Sequence, residues 1–141
     1  MPSPFFETVA SAVESAIHDA ETELPADVVS VLQTAYANET SSVARGEYEN
    51  IFANLKIAKE RDVPICQDTG LIVLYITLPP EIPYSAEIFE AAEEGVRRAT
   101  VSVPLRPNAV HPLSRKNSGD NCGEGMPAIH IRPGEKFSIT V

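Results

Sequence analysis

Cysteine is scarce in this chain: Cys66 and Cys122 are the only two among 141 residues. They make no Cys-x-x-Cys pair, and no His/Cys pair has the spacing of a zinc site. In a reducing cytosol they are not expected to form a structural disulfide. Basic residues are few as well. Eleven Lys and Arg against twenty Asp and Glu leave a net charge of −9, whereas a nucleic-acid binder carries a basic patch. No apolar run reaches the roughly 18 residues that span a bilayer. The opening Met-Pro-Ser-Pro-Phe-Phe-Glu has no basic region of the signal-peptide kind. Gly-x-Gly-x-x-Gly and Gly-Lys-Ser/Thr are both missing, so a phosphate cradle has no support. These absences predict a cytoplasmic protein with neither a nucleic-acid nor a membrane partner.

What is present supports one domain over residues 1–141. A 43% hydrophobic content suffices for one core, and 22% charge argues against disorder. The first sixty residues read as three helices, at about 3–22, 25–37 and 42–61. Ser3 is the cap, Pro4 suits the first helical position and Glu7 faces the positive end of the dipole. Val9, Val13 and Ile17 recur at helical spacing. The second helix puts Val28, Leu32, Ala35 and Tyr36 on one side; the third is expected to bury Val43, Tyr48, Ile51, Phe52, Leu55 and Ala58. From Gly70 to Leu78 a continuous β-rich run predicts a strand buried on both faces. Ser85 then caps a helix at about 85–101. A proline- and glycine-rich stretch at 104–127 is long enough to be functional. Residues 128–131 and 136–141 read as two strands joined by Pro133-Gly134 into a hairpin. The predicted class is α/β (α+β): helices first, then a mixed sheet. The alternation is still running at Val141, which predicts a fragment of a longer protein.

Two polar loops carry the candidate chemistry. Pro64-Ile65-Cys66-Gln67-Asp68-Thr69-Gly70 places a thiol, an amide and a carboxylate just before the strand. An isolated cysteine is most often a small buried hydrophobe, but these flanking residues favour a thiolate acting as nucleophile or metal ligand. A nucleophile needs a base, which His111 or His130 could supply. Asp-Thr-Gly is ordinary turn chemistry. It also occurs in aspartic proteases, but a chain opening with three helices does not suit a retroviral-type protease. In the second loop, Leu105 to Pro112, Arg106 is either paired to a surface acid or a carboxylate clamp, since a guanidinium fork matches a carboxylate bidentately. Prolines nearby would keep such a clamp rigid. His18 reads as structural, and Arg115 and Lys116 as solvated charges.

Cys66-Gln67-Asp68-Thr69-Gly70, then Arg106-Pro107-Asn108-Ala109-Val110-His111-Pro112-Leu113, then Asn117-Ser118-Gly119-Asp120-Asn121, resemble the iron–sulfur (class I) fumarate hydratase family. More narrowly, the chain is similar to the α subunit, or N-terminal region, of the two-subunit fumarase and L(+)-tartrate dehydratase type. The resemblance implies a [4Fe–4S] cluster on three cysteines, with one open iron serving as Lewis acid. It implies Cys66 as one cluster ligand, and Gln67, Asp68 and Arg106 as substrate residues, with Asp68 the candidate catalytic carboxylate. The implied reaction is reversible hydration of fumarate to L-malate, as in the tricarboxylic acid cycle; L-tartrate dehydration is the alternative. The implied partners are a small dicarboxylate substrate and a β subunit, in a dimerising assembly. The other two cluster cysteines would lie beyond residue 141, and Cys122 matches none of them. One thiolate cannot hold a cubane, so the chain alone is expected to be without a cluster and inactive. A reading from another class is a non-catalytic module that assembles with a partner.

Overall fold

The computed structural model describes residues 2–141. Four helices and three strands follow in the order α1 (Pro4–Thr22), α2 (Ala26–Asn38), α3 (Ser42–Arg61), β1 (Val73–Leu78), α4 (Ala86–Ser102), β2 (Ala128–Pro133) and β3 (Ser138–Thr140). The predicted α/β class stands, and each predicted helix ends within a residue or two of the observed limits. Local chemistry explains this. Ser3 Oγ accepts the Phe6 N–H at 3.0 Å at the start of α1, Ser41 caps α3 in the same way, and Asp62 ends α3 in the left-handed conformation at φ 56°. Ser85 stands at the start of α4, but its side chain makes no capping bond. Among the described residues no helix is long and apolar enough to cross a membrane.

The core is a two-layer sandwich. Val9, Val13 and Ile17 of α1 are four residues apart and fully buried. They meet Ile88, Ala91, Ala92, Val96 and Ala99 of α4. Small residues on α4 let the two helices approach closely: a Cβ built on Gly95 would stand 2.5 Å from the Ala10 carbonyl oxygen. Glu7 accepts two bonds from Arg98 across this crossing, at 2.9 and 3.2 Å. Leu74, Ile76 and Leu78 of β1 fill the other side of the core, each contributing about 1.5–3 kcal/mol on burial.

Three expectations fail here. β1 is covered on one face only; its outward Tyr75 is 49% exposed and stacks on His130 with ring centroids 5.1 Å apart. Strand geometry starts at Val73, because Gly70 is a turn at φ 65° and Leu71 faces solvent. The hairpin does not form. The sheet order is β2-β1-β3, with β1 parallel to β2 and antiparallel to β3. The most apolar strand takes the centre, and residues 134–137 cross its end to reach the far edge. There Gly134 donates to the Leu78 carbonyl at 3.0 Å, and a Cβ on it would lie 2.2 Å from Thr77 Cγ2.

The α2–α3 pair is also less buried than its pattern predicts. Tyr36, Tyr48 and Phe52 pack edge-on or stacked with centroids 5.8–6.4 Å apart. Ala58, however, is the one fully buried residue of α3, while Val43 and Ile51 are exposed. Among the described residues, the elements that pack on this pair are chiefly its own two helices, the end of α1 and the loop that follows α3.

Candidate functional site

Ile65 anchors the first polar loop. Its N–H donates to the Glu21 carbonyl at the end of α1 at 2.8 Å, and its own carbonyl accepts from Asn54 Nδ2 of α3 at 2.7 Å. Pro64 prevents α3 from continuing. The next residue, Cys66, is thereby presented on the surface with its side chain exposed. Its thiol donates to the Asp68 carbonyl at 3.5 Å. The turn at Gly70 then leads into β1.

The second loop follows α4, and asparagines hold it. Asn121 is 6% exposed, and its backbone is left-handed at φ 59°, a conformation asparagine tolerates better than most residues. Its amide donates to Thr100 Oγ1 at 3.2 Å and to the Arg106 carbonyl at 3.3 Å, while its Oδ1 accepts the Asn108 N–H at 2.7 Å. Asn108 Nδ2 in turn donates to the Gly70 carbonyl at 3.0 Å. Thr69 Oγ1 donates to the Arg106 carbonyl at 3.2 Å. The two loops are therefore bonded directly to one another, although 37 positions separate Thr69 from Arg106.

Between them opens a cleft of about 640 Å³, lined by Asn54, Val63, Pro64, Ile65, Cys66, Gln67, Thr69, Pro104 and Arg106. Three of the four predicted site residues, Cys66, Gln67 and Arg106, thus share one cavity. Asp68 is exposed and does not line it. Arg106 is exposed too, and among the described residues no carboxylate pairs with it. That disfavours the surface-pair alternative and leaves a fork of N–H donors available to a ligand.

Neither histidine considered as a base for Cys66 lines this cleft. His111 Nδ1 accepts the Leu113 and Ser114 N–H groups at 3.2 and 3.1 Å, so the proton sits on Nε2, 3.0 Å from Glu124. His111 thereby organises its own loop. His130 lies outward on β2 against Tyr75. Neither histidine is therefore placed to act as the base for Cys66 within this cleft.

Cys122 lies in a different, smaller cavity of about 320 Å³. It is buried, donates its thiol to the Glu93 carbonyl at 3.4 Å, and burial pushes its pKa up to about 11, with Asp120, Glu93 and Glu94 adding to the shift against Arg97. A thiol held protonated is a poor metal ligand. Among the described residues no three His, Cys, Asp or Glu side chains converge as a metal site. Of the two thiols, only that of Cys66 is exposed and so presented to a possible ligand.

The sequence reading missed Asn54, Thr69, Asn108 and Asn121 as functional positions. Each looks like ordinary turn or helix-surface chemistry in the sequence. The one available signal was an asparagine beside prolines at 108 and another beside glycines at 121.

A family model described as fumarate hydratase (Fumerase) matches residues 10–141. A Methanocaldococcus jannaschii protein provisionally named L(+)-tartrate dehydratase subunit alpha is 40% identical over 125 residues, 87% of this chain and 44% of that protein. L(+)-tartrate dehydratase subunit alpha of Escherichia coli K12 is 37% identical over 108 residues, 77% of this chain and 36% of that protein. The Shigella sonnei protein of that name gives the same figures. The chain spans less than half the length of these relatives.

Proposed function

The chain belongs to the fumarate hydratase (Fumerase) family, and from that premise we propose that it forms the N-terminal domain of the α subunit of a cytoplasmic hydro-lyase that adds water to fumarate to give L-malate. The carrying observation is the cleft that gathers Cys66, Gln67 and Arg106, with Arg106 unengaged by any carboxylate of the described chain.

Each residue has a role that its chemistry supports. The Arg106 guanidinium holds one substrate carboxylate by two parallel N–H bonds. Gln67 offers an amide N–H to a second oxygen and a carbonyl to a hydroxyl. Hydration places a hydroxyl on one alkene carbon and a proton on its neighbour. Asp68, next to Gln67, is proposed to hold and return that proton at its carboxylate oxygen once substrate and the rest of the enzyme cover this face. Cys66 would hold one iron of a [4Fe–4S] cluster as a thiolate. When bound, the cluster supplies a Lewis acid with a vacant coordination position. The remaining ligands, a β subunit and a dimeric assembly belong to the same proposal.

A second reading has a specific observation in its favour: the similar relatives named above are tartrate dehydratase α subunits. L-tartrate also presents two carboxylates to the same Arg106 fork. Steady-state kinetics of the complete enzyme on L-malate, fumarate and L-tartrate decides between them. A higher kcat/KM on tartrate overturns the first reading and establishes the second. Cys66→Ser in that enzyme is expected to abolish both the visible iron–sulfur absorption and the activity. Retention of both would refute the ligand role and leave an assembly module.

A further inference from the structure

The bonds joining the two loops close into a ring. Asn121 Oδ1 accepts the Asn108 N–H at 2.7 Å. Asn108 Nδ2 reaches Thr69 Oγ1 at 3.5 Å and, more closely, the Gly70 carbonyl at 3.0 Å. Thr69 Oγ1 donates to the Arg106 carbonyl at 3.2 Å. Asn121 Nδ2 donates to that same carbonyl at 3.3 Å. The ring is tethered to α4 by Thr100, 7% exposed, whose hydroxyl accepts from Asn121 and donates to the Val96 carbonyl at 2.8 Å.

Every member of the ring is directional. Asn121 must present one acceptor to Asn108 and two donors to Arg106 and Thr100, which an amide can do and a carboxylate cannot. A buried amide in a left-handed backbone is not a default loop residue; here it is bonded on both atoms. The Arg106 carbonyl receives two donors, one from each side. The backbone of Arg106 is thus fixed relative to Thr69, three residues from Cys66.

We infer that Asn121 is a positioning residue for substrate binding: through the ring of Asn108, Thr69 and the Arg106 carbonyl, it sets the Arg106 guanidinium across the cleft from the Cys66 loop. This rests on the carboxylate-clamp reading of Arg106. Asn121 itself does not line the cleft.

The test is a double-mutant cycle in the complete enzyme, with L-malate and L-tartrate as substrates and matched iron content. Arg106→Ala alone is expected to raise KM strongly. Asn121→Asp alone is expected to raise KM about tenfold with a smaller change in kcat, the loss of roughly one or two well-placed bonds. In the Arg106→Ala background, Asn121→Asp should add little, because coupled residues fail to combine additively. If Arg106→Ala leaves KM unchanged, the clamp reading falls and the inference with it. If Arg106→Ala raises KM but Asn121→Asp multiplies it fully in both backgrounds, the clamp stands and the positioning role is refuted.

Thr69→Val breaks the ring from its solvent side without touching the buried amide. It should raise KM in the same direction, with Thr69→Ser restoring it. Failure of Thr69→Ser to restore KM counts against the ring. Amide hydrogen exchange gives a readout without turnover. The Asn108 N–H should be protected in the parent and exchange faster in Asn121→Ala; equal protection in both would also overturn the inference.

Discussion

Gly95→Ala is the sharpest test of the core, because the structure assigns it a sign opposite to that of a second, chemically identical change. Gly95 is buried in the middle of α4, and an added Cβ would meet Ala10 O at 2.5 Å, Val13 Cβ at 2.7 Å and Val13 Cγ1 at 2.9 Å. Ordinary contact starts near 3.4 Å, so α1 and α4 must separate by several tenths of an ångström against a rigid backbone oxygen. Overpacking of this kind costs about 1–3 kcal/mol. The upper end applies, because a helix backbone cannot turn away as a side-chain tip can. Alanine regains about 1 kcal/mol of helix propensity over glycine. The net expectation is about 2 kcal/mol of destabilisation, or a Tm lower by about 6–8 °C in a domain of this size. Gly46 of α3 has nothing within 4 Å of its added Cβ. Gly46→Ala should therefore gain about 0.5–1 kcal/mol. Urea denaturation followed by circular dichroism reads both midpoints, with unchanged slopes as the check on two-state behaviour. Gly95→Ala at or above parental stability would refute the close crossing of α1 and α4.

The two cysteines should differ in reactivity. Cys66 is exposed and Cys122 buried with its pKa near 11, so at pH 8 only about one Cys122 thiol in a thousand is ionised. Mass spectrometry after brief iodoacetamide treatment should find Cys66 labelled first, with Cys122 labelling rising about tenfold per pH unit below 11; equal rates would contradict the burial. His18 should carry a pH dependence of stability. Its Nε2 lies 2.6 Å from Asp62 and its Nδ1 3.2 Å from Asp19, and these hydrogen bonds, Asp62 first, raise its pKa. The folded state thus holds the proton more tightly than the unfolded chain. The contribution is complete below the unfolded value of about 6.5 and disappears as pH rises through the raised folded value. The stability advantage of the parent over His18→Gln should shrink as the pH rises above about 6.5; a constant difference in urea midpoint would count against the pairing.

Local signals made the helices legible. Ser3, Pro4 and Pro25 mark starts, and Pro64 and Pro104 mark stops, each acting within a few residues of itself. The candidate residues were legible by type: an exposed thiol beside an amide and an acid, and an arginine between prolines. Strand pairing was not. Ala128–Pro133 and Ser138–Thr140 alternate as a hairpin would, yet each pairs with Val73–Leu78. That choice is a contest between partners far apart in sequence, and period-two alternation says nothing about which partner wins. Burial of α2 and α3 falls short of their sequence pattern for a related reason. Helical periodicity identifies an apolar face at Val43 and Ile51 but does not supply a surface to cover it. The asparagine ring was hidden because asparagine in a glycine-rich stretch has the composition of any turn; its meaning lies in partners up to 39 positions away.

The core and the cleft are one construction. The C-terminal end of α1 fixes Ile65 through the Glu21 carbonyl, and so fixes Cys66. The C-terminal part of α4 fixes Asn121 through Thr100, and so fixes Arg106. If the helices set the cleft, its width follows how closely α1 and α4 pack, a spacing that the absent side chain of Gly95 permits. In the complete enzyme, a Gly95→Ala variant that remains folded should bind the proposed dicarboxylate less well although Gly95 lines no part of the cleft. Thr100 lies five residues along the same helix, and any displacement of α4 moves one wall of the cleft while Glu21 holds the other. A rise in KM in the folded variant at a temperature well below its Tm would separate this geometric effect from loss of native protein. An unchanged KM beside a lowered Tm would mean that the asparagine ring absorbs the shift, and that the loops are positioned by their mutual bonds more than by the helices beneath them.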